Sequence, residues 1–355
     1  MLKGVGTPAA RACLIAAASW MLAVGSSQAR TPPADAITQL SLPGDEGWDY
    51  LTYEQRGERL FIAHGTRVLV VDARTLRLAG EVPDTPGVHG IALAPELGRG
   101  YVSAGKANLI VVFDLQTLAR LKEISTTGEN PDAILYDPAT QRVFSFNGRG
   151  RNATAVDART DQVVGSIALD AKPEFAASDG AGHVYVNLED KNSIAVIDPR
   201  ALRVTAVWHV PGCEEPTGLA LERSEHWLTT VCGNRVLAVI DSRTGRLLGT
   251  APIGSGVDAA AVDHRMAIAS CGEGVLTLLR LSERGVPEVA QTISTQPGAR
   301  TAALDAANKR VFLVTADFGA APAATAQQPH PRPPLVPGSF RLLVVQLPTA
   351  VWPDR

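Results

Sequence analysis

An all-β chain folded as a seven-bladed β-propeller of four-stranded blades is what the sequence predicts, and three observations predict it. A short strand phrase, fullest as KRVFLV at residues 309–314, recurs as ERLFIA (58–63), RGYVSA (99–104), QRVFSF (141–146) and GHVYVN (182–187). Weaker copies, EHWLTT (225–230) and HRMAIA (264–269), bring the count to seven, one every forty-odd residues. Each copy is flanked by further short apolar runs and turn residues, enough for four strands per unit. The seventh unit runs out of chain one strand short, and an unpartnered strand stands at the other end of the chain.

That unpartnered strand is residues 36–42 (AITQLSL), partly alternating and stopped by Pro43 and Gly44. Each unit then opens on an inner strand, as in GIALAP (90–95), AILYDP (133–138) and GLALE (218–222). The recurrent phrase is the second strand. The third usually ends in Asp, as VLVVD, IVVFD, ATAVD, IAVID and LAVID. Asp72, Asp114, Asp157, Asp198 and Asp241 are therefore read as turn residues whose carboxylates bond nearby amides, not as catalytic groups. The fourth strand is more polar, as in RLKEI (120–124) and VVGSI (163–167). Unit seven supplies its first strand at 301–304, its second at 310–315 and its third at 340–347. Residues 36–42 complete it as the outer strand, so the termini meet in one blade and no open edge is left. An Ala/Pro-rich insertion at 316–339 interrupts that blade, either as a flexible, partly polyproline loop or as a lid over one mouth of the channel. The propeller is expected to span 36–348, with a linker at 30–35 and a tail at 349–355.

These phrases resemble the YVTN-type repeats of secreted seven-bladed propellers, the YncE-like family. The matching pieces are the P-x-(G/A)-(I/L)-A inner strand, the R-V-(F/Y)-V second strand and the V-(I/V)-D-x-x-T third strand. The resemblance runs from residue 36 to the C-terminus. It departs in blade six, where Leu281 stands at the Asp position, and in blade seven, where Gln346 does. It implies the fold and an extracytoplasmic home, and it leaves the biochemical role open.

Residues 1–29 read as a secretory signal, with Lys3 and Arg11 ahead of or within a short apolar stretch and Ser27-Gln28-Ala29 as a small-x-small cleavage site. Without Lys3 and Arg11 the 33 basic residues fall to 31 against 36 acidic ones, a net charge of −5. A net acidic chain without a Lys/Arg cluster argues against nucleic acid as the partner. No later run is apolar for 18 residues, so the mature chain is expected to carry no membrane span, and to reside in the periplasm or outside the cell as a monomer. Three cysteines remain after the signal. Cys213 and Cys232 stand at the two ends of blade five's inner hairpin and form the favoured disulfide, with Cys232–Cys271 as the competing bridge.

Aligning the units exposes a ring. Just before or at the start of each innermost strand stand Asp49, His89, Asp132, Glu174, Thr217, Asp258 and Arg300, spaced 40, 43, 42, 43, 41 and 42 residues apart. Inner strands line a propeller's channel, so these side chains are expected to converge at one mouth, where the acids create a potential that draws cations. Asp49, His89, Asp132, Glu174 and Asp258 are the candidate metal ligands. Calcium would suit the oxygens, and a transition metal would need the histidine. A second ring toward the same mouth holds His64, Asn147 and Asn187, and Trp48 and Tyr50, which flank Asp49, offer an aromatic channel wall unless Trp48 packs beneath a blade-connecting loop. No nucleophile elbow, phosphate-binding loop, dinucleotide fingerprint or haem-attachment motif is present. The expected function is an exported binding or scaffold protein whose channel mouth receives a small molecule, peptide, ion or envelope protein. It needs no cofactor beyond a candidate divalent cation. The alternative is a metal-assisted hydrolase, lactonase-like, on the same acidic ring.

Overall fold

The computed structural model describes residues 37–323 and 331–352, together with residues 1, 2 and 4. The rest of the expected signal and linker, residues 324–330 of the insertion and residues 353–355 of the tail lie outside the described residues. Seven antiparallel four-stranded sheets follow one another in a ring, each inner strand packed against the next. Ile37–Ser41 is the outer strand of the seventh sheet. It pairs with Arg341–Gln346, Ile37 opposite Val345 and Ser41 opposite Arg341, so the expected closure holds.

Burial explains the strand patterns. The two middle strands of a blade are covered on both faces by neighbouring blades and read as unbroken apolar runs, as in Arg67–Asp72, where Val68 to Val71 are all buried. Outer strands have one face in water and alternate, as Arg203–His209 does along its whole length. Between blades one and two, Phe61, Val70, Val102, Val111 and Phe113 interlock in one such layer. Full burial of each side chain of this size contributes roughly 1.5–3 kcal/mol.

The turn aspartates behave as the sequence indicates. Asp72 Oδ1 accepts from the amides of Arg74 and Thr75 at 3.0 and 2.7 Å, and those amides hold its carboxyl below the usual range. The residue after each of them carries a second joint, which is not written locally. Its carbonyl accepts a hydrogen bond from the preceding blade's second strand: Arg59 to Leu115, Arg99 and Tyr101 to Ala158, Arg142 to Pro199, Tyr185 to Ser242, and Arg310 to Ala73. The last of these crosses the seam between blades seven and one. Arg310 also engages the fully buried Asp305 through Nε and Nη2, at 3.1 and 2.7 Å, and lies over the Phe312 ring.

Cys213 and Cys232 form a disulfide with Cα atoms 5.4 Å apart, and Cys271 is a buried free thiol. The insertion leaves blade seven on the side where second strands meet third strands. Its base is zipped, with Phe318 paired to Leu335 and the Gly319 amide donating to Pro334 O at 2.8 Å. The Gly338 amide donates to Asp45 at 2.6 Å, which ties the insertion to the loop leading into blade one.

Two outcomes follow for stability. Arg310→Ala strands the buried Asp305 carboxylate and is expected to cost about 3 kcal/mol in urea unfolding, whereas Arg265→Ala, which breaks only exposed pairs, is expected to cost under about 1 kcal/mol. Burial pushes the Cys271 thiol up to about 12, so in protein produced without residues 1–29, and hence without Cys13, Ellman's reagent should find no reactive thiol in the native state and one per chain after denaturation without reductant.

Candidate functional site

In six blades the inner strand slips register against the second strand right at the ring position. The shifts fall between Trp48 and Leu51, Val88 and Ile91, Pro131 and Ile134, Pro173 and Ala176, Pro216 and Leu219, and Val257 and Ala259. Each is a bulge that takes the ring residue out of the ladder and re-aims its side chain into the channel. The backbone freed by these bulges is caught by second-strand side chains. Ser103 Oγ donates to Asp132 O at 2.5 Å and Asn187 Nδ2 to Thr217 O at 2.7 Å, and on the loop leading into blade seven Ser270 Oγ plays the same part for Ala299 O at 2.9 Å. Blade seven has a short inner strand, Ala302–Asp305, with no such shift, and Arg300 reaches the ring from the loop before it.

The ring converges into three linked groups. His89 Nδ1 lies 2.6 Å from Asp49 Oδ2 and 3.7 Å from Asp132 Oδ1, and one donor atom from each of the three lies within 4.8 Å of the others. Arg300 Nε donates to Asp258 Oδ2 at 2.7 Å. Glu174 is met by Lys172 Nζ at 2.7 Å and by the Tyr50 hydroxyl at 3.4 Å, while Lys172 also grips Glu189. Thr217 turns its hydroxyl to the carbonyls of Val231 and Val257, so it is spent on the backbone.

Burial and crowding of like charges set the electrostatics. Burial and the Asp49 carboxylate push Asp132 up to about 6, against the pull of His89. Burial and Asp132 push Glu174 up to about 8, outweighing Lys172. Burial raises Asp258 despite Arg300. Burial alone would lower His89, but the Asp49 hydrogen bond and the Asp132 charge leave it above the ordinary imidazole value. The acids gathered here, Asp49, Asp132, Glu174, Asp258 and Glu189, outnumber His89, Lys172 and Arg300, so the excess is held down by protons that an incoming cationic group can replace.

Four residues expected at the mouth do not line it. His64 is fully buried, stacked on Phe340 with centroids 4.3 Å apart, and burial depresses its basicity. Trp48 stacks on the same Phe340 at 5.5 Å and meets Phe318 of the insertion at 6.2 Å. Both belong to the seam between blades seven and one. Asn147 is buried against Asn152 and Thr154, and Asn187 pins blade four to blade five. The physical reason is common to the four: strand two and the start of the inner strand face neighbouring blades except where a bulge turns a residue inward.

Sequence reasoning missed Lys172 and Glu189, which lie on connections rather than at the repeating position. It put Tyr50 on the channel wall but missed Phe175, the ring that meets it. The residue after each ring position is small where inner strands crowd, as at Gly90, Ala133, Gly218 and Ala259. A Cβ on Gly218 would sit 2.7 Å from Asp258 O. In blades one and four it is Tyr50 and Phe175, whose rings meet edge to face across the channel, 4.9 Å apart. The signal was present as two aromatics at one register, but only the ring closure sets them opposite each other.

No protein-family model matches the chain. It is 35% identical over 66 residues to Antigen Lp49 of Leptospira interrogans serogroup Icterohaemorrhagiae serovar copenhageni (strain Fiocruz L1-130), a match that covers 19% of this chain and 14% of that protein's length. Among solved structures, the WD40 repeats of RRP9 superpose with a TM-score of 0.75 at 9% identity, covering 90% of this chain and 100% of that one. U3-55K gives 0.74 at 10% identity over 89% of this chain and 100% of that one. A chain of Kuenenia stuttgartiensis hydrazine synthase gives 0.50 at 18% identity, over 67% and 97% respectively. At these identities the likeness is one of fold alone, and the fold is the seven-bladed β-propeller.

The raised carboxylates fix the direction of a pH effect. The folded mouth holds protons on Glu174 and Asp132 that the unfolded chain has released above about pH 4.5, so their contribution falls as pH rises toward 8. His89, also raised, stabilises fully below the unfolded imidazole value and loses that contribution as pH rises through its folded value. Unfolding free energy is therefore expected to drop between pH 5 and pH 8. Glu174→Gln should remove part of that drop, on the order of 2 kcal/mol, as read by urea unfolding at the two pH values.

Proposed function

We propose that this protein is an exported binding propeller that presents its acidic channel mouth to a cationic small ligand, an ion or a partner in the cell envelope. The observation that carries this reading is the set of inward bulges, which spend ladder hydrogen bonds to aim four carboxylates and a histidine at one mouth, where Arg300 joins them from its loop. Buried charge of this kind is costly for folding and is kept where it serves a site. Export is supported by the disulfide, which fits an oxidising compartment, and by the YVTN-type resemblance. Among the described residues no helix is long and apolar enough to cross a membrane.

A second reading, a bound divalent cation, is favoured by one specific feature. Asp49, His89 and Asp132 offer two carboxylate oxygens and one imidazole nitrogen within a single coordination radius. That donor set suits zinc or manganese better than calcium, which takes six to eight oxygens. Glu174 and Asp258 are engaged by Lys172 and Arg300 and stand outside it. The metal-assisted hydrolase would be a use of the same cluster, and nothing beyond that cluster favours it.

The test is a thermal-shift and calorimetry panel on the protein purified without chelator, using zinc, manganese and calcium salts and polyamines, beside an Asp49→Ala/Asp132→Ala variant. Saturable binding that the variant loses by about tenfold or more supports the mouth as the binding surface. A wild-type protein that responds to none of these, or a variant that responds equally, overturns it. Within a positive result, zinc or manganese in preference to polyamines selects the cation reading.

A further inference from the structure

Below the Tyr50–Phe175 pair the channel changes character. The inner strands of blades one to four, Trp48–Glu54, Val88–Ala94, Pro131–Asp137 and Pro173–Ser178, turn apolar side chains to a cavity of about 750 Å³ at the opposite mouth. A narrower gap of about 30 Å³ continues it up to the underside of the two rings. Its walls are Ile91, Leu93, Ile134, Leu135 and Phe175, and most of these side chains are only partly covered by protein.

The charges around this funnel cancel. Glu54 is held by Arg59 through Nε and Nη2, both at 2.7 Å. Glu96 accepts from the Tyr136 hydroxyl at 2.5 Å. Arg56 at the rim makes no ion pair among the described residues, and with Arg59 it balances the two glutamates. Unlike the acidic mouth, the funnel is thus balanced in charge over these four groups. Thr52 is also satisfied, donating to Ile91 O at 2.8 Å, Gln55 and Arg56 stay at the exposed rim, and the apolar wall between them remains to be covered. A concave, largely hydrocarbon site of this volume is of the size that takes a small organic ligand.

We propose that this funnel is a second binding site, separate from the acidic mouth, for an uncharged and largely aromatic or aliphatic small molecule. Transfer of such a molecule from water covers the exposed faces of Leu93, Leu135 and Phe175 and needs no counter-charge. The aromatic pair closes the inner end, so a ligand here does not reach the acidic ring.

The test uses N-phenyl-1-naphthylamine, a neutral dye whose emission rises in apolar surroundings, beside the anionic anilinonaphthalene sulfonate. Saturable binding of one neutral dye per chain is expected, weaker binding of the anion, and a rise in melting temperature with the neutral dye. Leu93→Asp is expected to weaken the neutral dye by roughly tenfold or more. Leu135→Gln, a milder change at a partly exposed position, should weaken it several-fold and guards against misfolding of the first variant. Arg265→Ala, which breaks only exposed pairs outside the funnel lining, should leave it unchanged. The proposal is overturned if the neutral dye does not saturate, if neither wall variant weakens it while both keep the wild-type circular dichroism, or if the anion binds more tightly.

Discussion

Closure of the ring is the constraint on which the rest of the structure depends. A blade has two apolar faces and no means of covering either by itself, so its middle strands are stable only between two neighbours. Six such contacts could form in an open arc, but the seventh must join the ends of the chain. Here Ile37–Ser41 lies against Arg341–Gln346, and Arg310 reaches across the same seam to Ala73 while holding the buried Asp305. Trp48, His64 and Phe340 fill the space behind that joint. Residues that look functional by type are thus committed to holding the circle shut.

Once the ring is shut, the channel is too narrow for regular strands carrying large side chains. The bulges and the small residues that follow them are the physical response. They move ring residues inward, let neighbouring inner strands approach closely, and leave carbonyls that Ser103 and Asn187 must satisfy. Desolvation of the gathered carboxylates then follows from geometry, not from any one residue. Against the crowding that raises Glu174 and Asp132, Lys172 comes in from a connection to offset it, while Glu189 adds one more negative charge that Lys172 also holds. The two aromatics at the small-residue position divide the channel into a charged chamber and an apolar one.

The likeness to WD40 propellers at about a tenth of identical positions fits this account. Architecture of this kind is set by patterns of burial and turn chemistry that many sequences satisfy, while the mouth is free to vary. No inference about partners passes through such a likeness, and the function proposed here rests on the mouth itself.

The sequence alone determined the number of blades, the four strands in each, the closing role of the N-terminal strand and the turn aspartates, and it favoured Cys213–Cys232 over the competing Cys232–Cys271 bridge, a choice the structure decided. Each of these is carried by local periodicity, by turn residues or by a fixed spacing, which a linear reading can follow. It also placed Asp49, His89, Asp132, Glu174, Asp258 and Arg300 in one ring, because a repeat makes equivalent positions visible. Tertiary structure decided which of them touch. Asp49, His89 and Asp132 share one cluster, Arg300 takes Asp258, and Lys172 takes Glu174. It also withdrew Trp48, His64, Asn147 and Asn187 into the protein and set Tyr50 opposite Phe175. These outcomes depend on the bulge angle and on which blades face each other across the closed ring, which no local pattern encodes.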